Sequence, residues 1–135
     1  MDIYITTCHN NYELGEFLKE WTGKPYTADT HIIPLNQTYL VARDRDDNNK
    51  IVGCACYIMT GDPFFGRSWA LIENVYVTPK YRRQKIARDI MRTIEHNVFA
   101  GSDCEFLKLT TRKALGKELY RSLGYEEGSS FYKNR

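Results

Sequence analysis

From Ile86 onward the apolar residues Ile86, Ala87, Ile90, Met91, Ile94 and Val98 recur at helical spacing, while Arg88, Asp89, Arg92 and Glu95 fall on the other side. This pattern predicts an amphipathic helix from about Arg83 to about Phe99. A shorter helix is predicted over Tyr12–Trp21, where Leu14, Phe17, Leu18 and Trp21 share one side and Gly23 ends the run. Elsewhere the apolar residues alternate or cluster as β-branched and aromatic runs. These predict strands at Ile3–Ile5, Thr38–Asp44, Ile51–Met59, Ser68–Val77, Glu105–Thr110 and Phe131–Lys133. The polar segment Arg45-Asp-Asp-Asn-Asn-Lys50 is rich in residues that tolerate left-handed backbone, so the strands on either side of it should form an antiparallel hairpin. A last helix carries Tyr120 and ends at Gly124, a glycine suited to a C-cap. Lys24–Gln37 and Gly61–Arg67 read as loops. No repeat, low-complexity tract or interdomain linker interrupts this order. A strand meander with about three helices predicts an α+β (mixed α/β) sheet in a single domain over residues 1–135.

The predicted start of the long helix is chemically unusual. The first turn of a helix leaves N–H groups without intrahelical acceptors, and Ser, Thr, Asp or Asn ordinarily sits just before it to accept from them. Between Pro79 and Arg83 there is none. Lys80, Arg82, Arg83 and Lys85 crowd the positive end of the dipole instead. A phosphate or pyrophosphate would satisfy the amides, the dipole and the side chains together; a solvated basic face is the alternative. The run Ala70-Leu-Ile-Glu-Asn-Val-Tyr-Val77 leads straight into this segment, and strand, short loop and cationic helix start together make a plausible cofactor-phosphate site.

At these residues the chain resembles the GNAT superfamily of acyl-CoA-dependent N-acyltransferases. The family's pyrophosphate loop reads Arg or Gln, two residues, Gly, one residue, then Gly or Ala, after a Val-x-Pro strand end. Here Val77-Thr-Pro79 is followed by Arg82-Arg-Gln-Lys85-Ile-Ala87, so Arg82 and Ala87 match and Lys85 replaces the first glycine. Ala114-Leu-Gly-Lys-Glu-Leu-Tyr-Arg-Ser-Leu-Gly-Tyr125 is similar to the family's second signature, a helix bearing a tyrosine and closing with Gly-aromatic. The resemblance is strongest from Leu71 to Tyr125 and weak before Thr38. It implies a mostly antiparallel sheet of six to seven strands flanked by three to four helices. The strands beginning near Ser68 and Glu105 would splay apart to admit the pantetheine arm. Acetyl-CoA would be the co-substrate, contacted by Val75, Tyr76, Val77, Arg82, Arg83, Gln84, Lys85, Ile86, Ala87 and Arg88. An amine would be the acceptor, and homodimerisation is part of what the family implies.

Acetyl transfer to an amine requires the neutral amine, yet an alkylamine has a pKa near ~10 and is mostly protonated at neutral pH. Glu73 is the carboxylate of the central strand, and a partly buried Glu with a raised pKa would suit the task of base. An ion pair with a neighbouring Arg is the alternative, and Asp62 is a substitute. The resemblance assigns the oxyanion to a backbone N–H near Val75 and the protonation of the leaving thiolate to Tyr120. The other reading of Tyr120 is a core aromatic, although the Leu115, Leu119, Leu123 stripe would turn it partly away from the core. The family places the acceptor pocket at Tyr26–Pro34 and Gly61–Arg67. There Tyr26, Asp62, Phe64, Phe65 and Arg67 suit a small amine (amino sugar, amino acid or polyamine) or a peptide.

Composition narrows the partners. With 19 basic and 17 acidic residues the net charge is +2, which argues against nucleic-acid or membrane-surface binding and leaves the basic cluster as a local feature. No apolar run approaches the ~20 residues of a membrane span, and the first residues lack the basic and apolar regions of a signal peptide, so a cytoplasmic protein is expected. Cys8, Cys54, Cys56 and Cys104 form no Cys-x-x-Cys pair and His9, His31 and His96 are scattered; reduced, structural cysteines and no metal are expected. Two rival readings remain. One is a non-catalytic acyl-CoA-binding module, favoured by Lys85; the other is a nucleic-acid-tracking helix over Lys80–Arg92, opposed by the small net charge.

Overall fold

The computed structural model describes residues 1–25, 33, 35–62, 67–109, 114–128 and 130–135, with the backbone alone described at 62, 67, 114 and 115. Strands β1 (Ile3–Thr7), β2 (Gln37–Asp44), β3 (Lys50–Asp62) and β4 (Arg67–Val77) form an antiparallel meander. Strand β5 (Phe106–Leu109) then adds parallel to β4, and β7 (Phe131–Asn134) and the two-residue β6 (Glu126–Glu127) complete an open sheet in the order β1-β2-β3-β4-β5-β7-β6. Helices α1 (Asn11–Thr22), α2 (Ile86–Gly101) and α3 (Ala114–Ser122) cover it. This is the α+β sheet expected from the sequence, with seven strands and three helices among the described residues. Only β6 has no counterpart in the sequence pattern, being too short to show a period of two.

Side-chain alternation sends the strands' residues into two cores. Leu40, Ala42, Val52, Ala55, Ala70 and Ile72 face α2, where Ile86, Ile90, Met91, Ile94 and Val98 are buried, and Tyr120 of α3 and Leu123 just after it join the same cluster. Burying each aliphatic side chain of α2 stabilises the fold by about 1.5–3 kcal/mol. On the opposite face Tyr39, Val41, Cys54, Cys56 and Tyr76 pack against Leu14 and Phe17 of α1. Lys133 reaches from β7 to the buried Glu95 of α2 at 2.8 Å and to the Leu123 carbonyl at 2.7 Å, tying β7 and the end of α3 to α2. The four cysteines are free and buried, and Cys54 and Cys56 lie on one face as their spacing requires.

Two departures from regularity shape the central strand. Between the pairs Cys54↔Tyr76 and Cys56↔Glu73 a single β3 residue, Ala55, faces two β4 residues, Asn74 and Val75, so β4 carries a bulge. Asn74 sits in left-handed backbone at φ 56°. The extra residue resets the alternation, so that Ile72, Val75 and Val77 contribute to the α2 side while Tyr76 belongs to the α1 side. Among the described residues, strand β5 pairs with β4 at Trp69↔Phe106, Ala70↔Leu107 and Leu71↔Lys108. Beyond Leu71 the described strands part, as the resemblance implied, and Ile72–Val77 have no strand partner on that side among the described residues.

The long helix begins three residues later than its apolar period predicts, at Ile86 rather than Arg83. The reason is backbone conformation: Arg83 and Lys85 both adopt positive φ, 63° and 64°, which no α-helix accommodates.

Candidate active site

The end of β4 and the start of α2 are held together from below by Gly53. A Cβ there would meet Val77 Cγ2 and Ile86 Cγ2 at 3.3 Å and Ile90 Cδ1 at 3.4 Å, so the absent side chain lets the helix start sit directly on the sheet. Between them the chain makes a 3-10 turn over Pro79–Tyr81. The Tyr81 hydroxyl donates to Asp44 Oδ2 at 2.8 Å, and Asp44, 3% exposed, also accepts from the amides of Asp2 at 3.1 Å and Asp46 at 3.0 Å. These bonds, the Asp2 amide foremost, hold the Asp44 carboxyl below the usual carboxylate range.

The loop that follows brings together most of the cofactor residues read from the sequence. Lys85 occupies the N-cap position of α2 without a side-chain cap bond, and the first internal bond is Asp89 N–H to the Lys85 carbonyl at 3.0 Å. The amides of residues 86–88 therefore have no intrahelical acceptor. Gln84 is exposed, as are Arg83, Lys85 and Arg88, and none of the three cations has an acidic partner among the described residues. Lys85 takes the left-handed conformation that glycine would supply, so its side chain does not change the path of the loop. Arg82 behaves differently from its neighbours. Its Nε donates to the Val77 carbonyl at 2.9 Å and its guanidinium lies 5.6 Å from the centre of the Tyr76 ring, so part of its donor set braces the strand end. Free amides at a helix start, flanked by cations, are a donor set suited to a pyrophosphate. Val75 and Val77 lie on the stretch of β4 that lacks a β5 partner among the described residues, whereas the Tyr76 ring is turned to the other face, stacked on Trp21 at 5.0 Å and bonded through its hydroxyl to Glu20 at 3.2 Å.

The two residues assigned to proton transfer lie on opposite faces of the sheet. Glu73 lies in a cross-strand row with Cys56 and Tyr39, on the α1 face, and is exposed rather than partly buried. The expectation of a buried carboxyl is thus corrected: α1 covers Tyr76 and stops short of Glu73. Tyr120 lies on the other face, 5% exposed within the α2 core, edge-on to Tyr125 at 6.1 Å and Phe131 at 5.8 Å between ring centres. It does not turn away from the core as the leucine stripe suggested, because those two rings form its pocket. Burial pushes its phenol up to about 12, and no described residue accepts from or donates to its hydroxyl. A neutral hydroxyl is a proton held ready for donation.

One feature was missed in the sequence. Asn74 Nδ2 donates to the Tyr39 hydroxyl at 2.9 Å, and Gln37 Nε2 donates to Cys56 Sγ at 3.2 Å, so a polar network lies beneath the bulge. Its signal was present: Glu73-Asn74 places two polar residues in succession within an alternating strand, and Asn is prone to left-handed backbone. Of the proposed acceptor residues, Tyr26, Phe64 and Phe65 lie outside the described residues. Asp62 and Arg67 are seen as backbone, paired at the end of the β3–β4 hairpin where the chain passes from one strand to the other. No group of three or more metal-ligating side chains occurs among the described residues, nor any helix long and apolar enough to cross a membrane.

A sheet opened at the middle strand, beside a bulge and an uncapped cationic helix start, is the arrangement that the resemblance implied. The sequence matches the GNAT acetyltransferase domain over residues 35–127, and the chain belongs to that family. The family's chemistry is acyl-CoA-dependent acetyl transfer. Solved structures agree in fold. An acetyltransferase of Trypanosoma brucei is 20% identical, with a TM-score of 0.75 over 94% of each chain. A GNAT-family acetyltransferase of Staphylococcus aureus is 18% identical, with a TM-score of 0.72 over 98% of each. NAA60 of Arabidopsis thaliana, solved with a bisubstrate analogue, is 12% identical, with a TM-score of 0.72 over 92% of this chain and 84% of that one. No curated protein sequence matches the chain.

Proposed function

We propose that this chain moves the acetyl group of acetyl-CoA directly to a primary amine of a small molecule (amino sugar, amino acid or polyamine) or of a peptide. The observation that carries the reading is the parting of β4 from β5 beyond Leu71, with Glu73 on one face of the opening strand and Tyr120 in the core on the other. An acyl carbonyl within that opening is attacked from one face while its thiolate leaves toward the other.

Glu73 takes a proton from the ammonium, directly or through water, and the neutral amine adds to the carbonyl carbon. The backbone N–H near Val75 donates to the oxygen as it gains charge. As the C–S bond breaks, the Tyr120 proton passes to the departing sulfur. The second proton that the nitrogen sheds in becoming the amide goes to water, and a proton from water restores the phenol. Because its phenol is pushed up to about 12, Tyr120 stays protonated through neutral pH. The amides of 86–88, with Arg83, Lys85 and Arg88, hold the pyrophosphate, which leaves CoA bound while the acyl group is transferred. Burial raises the Cys8, Cys54 and Cys56 thiols, which disfavours the thiolate an acyl-cysteine route would need.

The test is release of free thiol from acetyl-CoA against amino acids, polyamines, amino-sugar phosphates and peptides, with Glu73→Gln and Tyr120→Phe alongside. Amine-dependent release that falls about 100-fold or more in each variant supports the assignments. Tight CoA binding with no turnover on any amine sinks the transferase reading and leaves a binding module.

A further inference from the structure

The bulge in β4 depends on an unusual backbone state. Asn74 is held at φ 56° in the middle of a strand, a left-handed state that Asn tolerates better than other residues with side chains but that regular strand backbone does not contain. Three contacts hold it there. Its Nδ2 donates to the Tyr39 hydroxyl at 2.9 Å, with Cys56 Sγ a more distant neighbour at 3.8 Å, and its carbonyl accepts from Cys54 Sγ at 3.3 Å. The anchor is rigid. Tyr39 is 7% exposed and sits among Phe17, Val41 and Cys56 in the core beneath α1. Asn74 itself is exposed, next to Glu73, on the stretch of β4 that has no β5 partner among the described residues.

We propose that Tyr39 is a positioning residue for acyl transfer: by accepting from Asn74 it fixes the left-handed bulge that aims the adjacent Val75 amide at the acyl carbonyl. This rests on the acetyl-CoA reading above. In physical terms, a φ change at Asn74 from +56° to the ordinary β region rotates the peptide plane that carries the Val75 N–H. A strand free to relax in this way would still pair with β3 and still bind CoA through the α2 end, but its donor would be misdirected. Neither Tyr39 nor Asn74 need touch the substrate for this to hold.

The experiment is difference infrared spectroscopy of [1-13C]acetyl-CoA bound to the protein, with calorimetric titration of acetyl-CoA and thermal melts on the same samples. A donor aimed at the thioester oxygen lowers the bound carbonyl stretch relative to free acetyl-CoA. Tyr39→Phe keeps the ring and removes the hydroxyl; it should return the band toward the free position and slow amine-dependent thiol release about tenfold. That is less than the ~10²–10³ of deleting a donor outright. Acetyl-CoA affinity should stay within about threefold, since the phosphate contacts lie elsewhere. Asn74→Ala breaks the same bond at an exposed position, without disturbing the core, and should reproduce the shift. Asn74→Gly should keep more of the lowered band than Asn74→Ala, because glycine enters positive φ without an anchor. The inference fails if Tyr39→Phe and Asn74→Ala leave band and turnover as in the wild type. It also fails if wild-type protein binds acetyl-CoA with an unshifted band, or if affinity and melting temperature fall in step with turnover. Wild-type protein that does not bind acetyl-CoA overturns the transferase reading, and this inference with it.

Discussion

Helices α1 and α2 begin in opposite ways. Asn10 caps α1 by accepting from the Glu13 amide at 3.0 Å, an acidic residue sits in its first turn, and left-handed Gly23 closes its other end with a bond to the Lys19 carbonyl at 2.9 Å. Every device lowers the energy of the isolated element. Helix α2 has Lys85 in left-handed backbone at its N-cap position, no side-chain cap, and exposed Arg83 and Arg88 beside the positive end of its dipole. Its stability comes from the apolar face packed on the sheet and from the closeness that Gly53 allows. One helix start is finished by its own sequence; on the function proposed above, the other is completed by the co-substrate's phosphates. The difference separates what folds the domain from what the domain is for.

The comparison can be broken most sharply by charge. Arg83→Glu with Arg88→Glu should weaken acetyl-CoA binding about 100-fold, roughly 2.7 kcal/mol, with the deficit shrinking as salt is raised, because both are exposed. The melting temperature should hardly move. At α1 the result is reversed. Asn10→Ala should destabilise the fold by about 1 kcal/mol, a fall of about 4 °C in a thermal melt, with acetyl-CoA affinity unchanged. The smallest effect sharpens the comparison. Lys85→Gly trades the cost of left-handed backbone in a residue with a side chain, roughly 1 kcal/mol, against the greater freedom of glycine in the unfolded chain. Stability should stay within about 0.5 kcal/mol and calorimetric affinity within about fivefold. A large loss of affinity would mean that the lysine side chain outweighs the amides and the neighbouring arginines in holding the pyrophosphate.

How much of this was legible in the sequence follows from what each feature depends on. The amphipathic period of Ile86–Val98 and the hairpin around Arg45–Lys50 depend on local residue types and appear where the pattern put them; the uncapped cationic helix start depends on them too, and appears three residues further on. The turn even uses Asn48 and Asn49 in left-handed backbone, at φ 55° and 57°, as its composition implied. The start of α2 was displaced because the helical period does not report backbone handedness, and Arg83 and Lys85 carry side chains that ordinarily avoid it. The burial of Tyr120 and the exposure of Glu73 were misjudged because each is set by a neighbour distant in sequence. Phe131 contributes to the pocket of Tyr120, and the reach of α1 leaves Glu73 uncovered. The Tyr39–Asn74 bond joins residues 35 apart in the chain and has no local signature beyond the paired polar residues at the bulge.

The most direct measurement gives α2 the kind of start that α1 already has. Aspartate tolerates left-handed backbone and places a carboxylate at the positive end of the dipole. Acetyl-CoA would be titrated calorimetrically into wild-type protein and into Lys85→Asp, with melts of both. The account predicts binding to the wild type, binding at least about tenfold weaker in Lys85→Asp, and a melting temperature that is unchanged or higher in the variant without ligand. Equal affinity in the two proteins, or no binding to the wild type, would contradict the claim that the start of α2 is completed by the co-substrate's phosphates.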